Sequence, residues 1–143
     1  MSNAVSGPGW LLAHSAHGAG VYTTLAEVQD IKGPSQAADV DEVTNQSSPN
    51  FFREFIPTVL DGGEVTFNCN YIPGDATQNG LTGLLSWLKG RGIQDWQITP
   101  PGPYAANTLQ FSAFVTKWDP SLPVAKHADI AVTLRITGPV TTN

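Results

Sequence analysis

The side chains able to do chemistry in this sequence are few and scattered. His14 and His17 stand three apart near the N-terminus; Asp39, Asp41 and Glu42 cluster; Asp61 and Glu64 flank two glycines; Cys69 and His127 stand alone. A zinc site needs at least one more rigid ligand beside the two histidines. The acidic trio lacks the glycine and distal glutamate of a calcium loop and reads as solvated. Asp61 and Glu64 could form a hydrolytic pair only if set across a cleft, and nothing in the sequence sets them there. Cys69 shares its strand face with Val65, Phe67 and Tyr71, so it reads as a buried, inert thiol. His127 reads as a solvated turn residue. No Walker loop, GxSxG, CxxC, HExxH or GxGxxG occurs. The sequence therefore predicts no enzyme, no catalytic residues, no cofactor and no metal. Four tryptophans at positions 10, 87, 96 and 118 invite a lectin-like reading, but they fall in different elements, and Trp96 alternates in phase with Ile98 as a core residue would.

The elements around these residues are mostly strands. The clearest is 64–71: Val65, Phe67, Cys69 and Tyr71 face one way, and Glu64, Thr66, Asn68 and Asn70 the other. Asp61-Gly62-Gly63 makes the tight connection before it. Further strands are expected over 21–31, 95–99, 109–118 and 129–137. Gln110, Ser112, Phe114 and Thr116 alternate with Leu109, Phe111, Ala113 and Val115, and Gly138-Pro139 acts as a stop. One helix is expected from Asp75, with Leu81, Leu84, Leu85 and Leu88 as its apolar stripe and Gly90 and Gly92 at its end.

Two segments read as irregular. Residues 1–20 are rich in Gly, Ala, Ser and His and form a flexible arm, with Trp10-Leu11-Leu12 as its adhesive patch. Residues 33–53 form a long polar loop closed by Phe51-Phe52-Arg53; a loop of that length is functional or disordered. Residues 21–143 then make a single domain. The fold class is mainly β: an antiparallel β-sandwich or partly open barrel flanked by one α-helix.

The chain has 143 residues and a net charge of −5. Residues 1–52 hold five carboxylates against Lys32, whereas the remainder is nearly balanced. No basic patch exists, which excludes tight phosphate-backbone binding. One cysteine excludes an intrachain disulfide framework and fits a reducing compartment. No apolar run reaches the roughly 18 residues of a membrane span, and the start lacks the pattern of a secretory signal.

From Leu25 onward, the order of short motifs resembles the tail tube proteins (major tail proteins) of long-tailed non-contractile phages, the siphophages. The landmarks are Ala26-Glu27-Val28-Gln29-Asp30-Ile31-Lys32-Gly33-Pro34, Asp41-Glu42-Val43-Thr44, Arg53-Glu54-Phe55-Ile56-Pro57 and Leu60-Asp61-Gly62-Gly63-Glu64-Val65-Thr66-Phe67. Trp96-Gln97-Ile98-Thr99, Phe111 to Thr116, and Val132 to Val140 complete the set. Tube proteins of contractile-injection and secretion systems are related and give the alternative reading.

The resemblance implies a structural virion protein whose activity is assembly. Homo-hexameric rings stack into a hollow tail tube, DNA transits the lumen without specific binding, and the long loop and terminal arms bridge rings. It also implies tape measure, tail terminator and tail tip proteins as partners, with assembly in the host bacterial cytoplasm and no membrane contact. Expected interface residues are Trp10, Leu11, Leu12, Asp39, Asp41, Glu42, Phe51, Phe52 and Arg53. Expected lumen-facing residues are Glu64, Thr66, Asn68 and Asn70, or Gln110, Ser112 and Thr116.

Overall fold

The computed structural model describes residues 8–142. Nine strands and one short helix follow in the order β1 (Leu11–Ala16), β2 (Thr23–Thr24), β3 (Val28–Lys32), β4 (Ala37–Glu42), β5 (Phe55–Asp61), β6 (Glu64–Asn70), α1 (Leu84–Gly90), β7 (Gln94–Thr99), β8 (Leu109–Ser121) and β9 (Asp129–Thr142). Seven of the strands form one antiparallel sheet, ordered β2-β1-β7-β8-β9-β6-β3; β4 and β5 pair only with each other. The expected mainly β architecture with one helix holds, and the sheet is open, with β2 and β3 as its edges.

Alternation dictates how the open sheet curls. Val65, Phe67 and Cys69 of β6, Phe111, Ala113 and Val115 of β8, and Ile130, Val132, Leu134 and Ile136 of β9 are all buried on one face. Leu12 of β1 and Trp96 and Ile98 of β7 enter the same core cluster. One sheet can bury all of these against each other only by curling. Trp96 is the hub. It is fully enclosed, its ring lies 5.6 Å from Trp87 of α1 and 6.4 Å from Phe67, and its Nε1 donates to the Ala113 carbonyl at 3.2 Å. A buried indole needs a partner for that N–H, and the β8 backbone provides it.

Several expectations are corrected here. Residues 11–16 belong to no flexible arm: they form β1, in register with β7 from Leu11↔Thr99 to Ala16↔Gln94. Leu12 drives this, because its side chain is wholly removed from water. The strand expected over 21–31 is broken into β2 and β3 at Leu25-Ala26-Glu27, where Leu25 turns into the core and Glu27 takes a positive φ. Gly138-Pro139 does not stop β9. It forms part of a bulge, since only one residue of β8 separates the partners of Thr137 and Thr141.

The long loop is also structured. Residues 37–42 and 55–61 pair as an antiparallel ribbon from Ala37↔Asp61 to Glu42↔Phe55. The helix, by contrast, starts nine residues later than expected. Asp75 accepts from the Thr77 N–H, and Asn79 accepts from the N–H groups of Leu81 and Thr82. These local bonds offer the backbone an alternative to helix, so Leu81 leaves the leucine stripe and stands exposed. Gly83 then caps α1 where any side chain would collide: a Cβ would sit 2.4 Å from the Gln78 backbone nitrogen.

Gln78 bridges separate elements. Its buried amide accepts from the Ile72 N–H at 2.7 Å and donates to the carbonyls of Asn70 (2.8 Å) and Ala26 (3.3 Å). It thereby ties the end of β6 to the break between β2 and β3. Replacing Gln78 with Leu leaves those part-buried backbone groups without this partner. The expected loss is about 2–3 kcal/mol of unfolding free energy, read as a lower urea midpoint at unchanged slope.

Candidate assembly surfaces

The β4–β5 ribbon stands away from the body, and every residue of both strands is exposed. Its register explains which side chains share a face. Val40 opposes Pro57 and Glu42 opposes Phe55, so these lie together with Ala38 by alternation. A bulge intervenes between Ala38 and Val40, where Asp39 of β4 faces both Thr58 and Val59 of β5, and it brings Leu60 opposite Ala38. Ala38, Val40, Phe55, Pro57 and Leu60 therefore form a mainly apolar face with Glu42 at its end, and Leu60 is 80% exposed. Asp39, Asp41, Ile56, Thr58 and Asp61 occupy the other. The ribbon from 37 to 61 holds five carboxylates against Arg53, a net of −4.

At its far end, Ser48 is buried: its Oγ donates to the Glu54 carboxylate at 2.6 Å and accepts from the Asn45 N–H. This small network holds the turn while Phe51 (95% exposed) and Phe52 project from it. Arg53 lies 3.9 Å from Glu42. The expected interface residues Asp39, Asp41, Glu42, Phe51, Phe52 and Arg53 are thus brought together on one arm. Trp10, Leu11 and Leu12 are not with them. Leu12 is enclosed in the core, Trp10 packs against it, and only Leu11 remains on the surface. Val40, Val59 and Leu60 were missed in the sequence because their exposure depends on the ribbon having no second layer.

The two alternative sets of lumen candidates turn out to share one surface. β9 lies between β6 and β8, and the inward positions of all three are core. Glu64, Thr66, Asn68 and Asn70 on β6 therefore face the same side as Gln110 and Ser112 on β8, with Ala131, Thr133, Arg135 and Thr137 between them. Thr116 joins the exposed side at a bulge and donates to the Thr133 carbonyl. The surface is mainly amide and hydroxyl. Asp95 belongs to it as well. Burial pushes its carboxyl up, but the Gly18 N–H, Ser112 hydroxyl and His17 ring outweigh this and hold it below the ordinary range.

Among the described residues, no three His, Cys, Asp or Glu side chains gather as a metal site. Burial pushes the Cys69 thiol up to about 11, which leaves it protonated. His17 pairs with Asp95 at 2.8 Å, and His127 lies 3.1 Å from Gln29. His14 is tilted against Trp87 at 4.3 Å, and its Nδ1 is buried without a partner.

A family model described as lambda phage tail tube protein, TTP, matches residues 13–141. No curated protein matches the chain by sequence. Several solved structures share its fold, and three illustrate the range. The tail of an empty GTA particle, refined helically with C6 symmetry, is 15% identical with a TM-score of 0.75 over 98% of this chain and 99% of that one. The SPP1 tail tube is 12% identical with a TM-score of 0.71 over 98% and 79%. The PVC sheath/tube terminator of an extracellular contractile injection system is 15% identical with a TM-score of 0.76 over 100% and 99%.

The buried imidazole generates a pH dependence. Burial lowers the pKa of His14 below 6.5, so the fold favours the neutral ring. The unfolded chain then binds more protons, and the contribution of His14 to stability is present above pH 6.5 and lost as pH falls through the lower folded value. His14→Phe keeps the packing on Trp87 but removes the titration. Between pH 7.5 and 5, its urea midpoint is expected to fall less than that of the native protein; parallel curves would contradict this.

Proposed function

The chain belongs to the lambda phage tail tube protein family, and from that premise we propose that its copies close into hexameric rings that stack into the hollow tail tube through which phage DNA leaves the virion. The observation that carries this reading is the β4–β5 arm. A two-stranded ribbon with one bare apolar face is marginal in water, and large exposed apolar patches mark contact sites. The arm is projected from the body with Val40, Phe55, Pro57 and Leu60 uncovered. A neighbouring copy is the cover that a tube supplies. Contact between an arm and a different surface of the next copy is heterologous, and heterologous contacts with a rise propagate as open tubes.

The sheet supports ring closure. β7 pairs with β8 only over 109–113, which leaves residues 114–121 paired on one side alone. Open strand edges invite pairing with another chain, and a ring satisfies them without leaving a free end. The amide and hydroxyl surface of β6, β9 and β8 suits a channel wall. It carries Glu64 and Asp95 with few cations, so phosphate slides past it and is not held. Tape measure, terminator and tip proteins would meet the tube along its lumen and at its two ends, the subunit residing in the virion tail after assembly in the bacterial cytoplasm.

The PVC likeness supports a contractile-injection tube at the level of fold alone. The lectin-like alternative loses its motive, because all four tryptophans lie in or against the core.

Leu60→Asp tests the reading. It places a charge on the apolar face of the arm at a side chain that is 80% exposed, so unfolding free energy should change by less than about 0.5 kcal/mol. Light scattering and negative-stain microscopy should show tubes for the native protein and none for the variant. Tubes forming equally well from Leu60→Asp would overturn the role of this face.

A further inference from the structure

β3 and β4 run on from each other, as do β5 and β6. Together they form one long antiparallel ribbon interrupted at 33–36 and 62–63: Lys32 pairs with Thr66 below the break, and Ala37 with Asp61 above it. The inner half lies in the sheet and the outer half leaves it. Gly33 and Gly63 both take positive φ, and a Cβ at either would strike backbone at 2.5 Å or less, so the break is a fixed requirement of these positions.

Across the break runs one ion pair. Arg135 of β9 donates to the Asp61 carboxylate at 2.8 Å. The other Asp61 oxygen accepts from the Gly63 N–H at 3.0 Å, and the Gly63 carbonyl accepts from the Ile136 N–H at 3.0 Å. The last residue of the arm, the hinge and the body strand are thereby joined in a short chain of bonds. The Gly63 N–H, then the guanidinium of Arg135, hold the Asp61 carboxyl below the usual range. Arg135 has a second carboxylate within choice, since Glu64 is its direct cross-strand partner.

We propose that the Asp61–Arg135 pair is a releasable latch that fixes the angle of the β4–β5 arm on the free subunit, with Glu64 as the competing acceptor once the arm swings away. Both partners are partly exposed, so the latch biases the arm roughly two- to five-fold and is weakened by salt. That size suits a device that must yield to a docking partner. Only its use in stacking rests on the proposed tube role.

The test is single-molecule energy transfer at picomolar concentration, where no assembly interferes. Dyes are attached at Ser47→Cys on the arm tip and Lys117→Cys on the body; Cys69 is buried and stays unlabelled. The native arm should give one dominant distance population. Asp61→Asn, which keeps an acceptor for the Gly63 N–H, and Arg135→Gln should each enlarge a second population two- to five-fold. The double variant should match the single ones, and Glu64→Gln should sharpen the native population. Unchanged distributions in both single variants, or effects that add in the double variant, would overturn the latch. Unchanged tryptophan emission confirms that each variant is folded.

Discussion

The subunit is organised by the enclosure of Trp96. Its ring is too large to be buried by any one pair of strands, so β1, β6, β7, β8 and α1 must all converge on it. That convergence curls the sheet and sets the parity of every strand around it. Once Trp96 and Ile98 point inward, the cross-strand partners in β8 fix Phe111 and Leu109 on the same side, and β9 and β6 follow in turn. The polar face is the remainder of this parity, and its composition is decided by what the core excludes.

The same logic explains what the arm is. Its strands lie beyond the reach of the curled sheet, so no inward position exists for Val40 or Phe55 to occupy. The body is satisfied within one chain, and the arm is not. Under the proposed assembly role, the acidic residues keep the free arm hydrated, and its apolar residues are the part that a neighbouring copy would cover.

Much of the body was legible in the sequence. The strict alternation of β6, β8 and β9 reads directly, and so do the burial of Trp96 and Cys69 and the single helix. Three features were not legible, for separate reasons. β1 is only six residues, and its sole strong signal is Leu12. The ribbon strand 37–42 has the composition of a loop, and its pairing with Phe55–Asp61 is enforced by long-range register, not by local propensity. The first turns of the expected helix are lost to side chain bonds from Asp75 and Asn79, which a periodicity count does not see. The exposed tip of the arm was visible through Phe51 and Phe52, whereas its apolar face needed the register.

The bulge in the arm has a consequence for how such a surface can change over time. A two-stranded ribbon encodes its sides by odd and even positions, and the extra residue of β5 is the single point where that count is reset. Substitutions on either side alter the quality of a face by degrees. Gain or loss of one residue between Thr58 and Leu60 would instead exchange the two faces for everything beyond it, setting acidic residues where apolar ones had stood. Drift in composition is therefore open to this arm, while drift in length is closed.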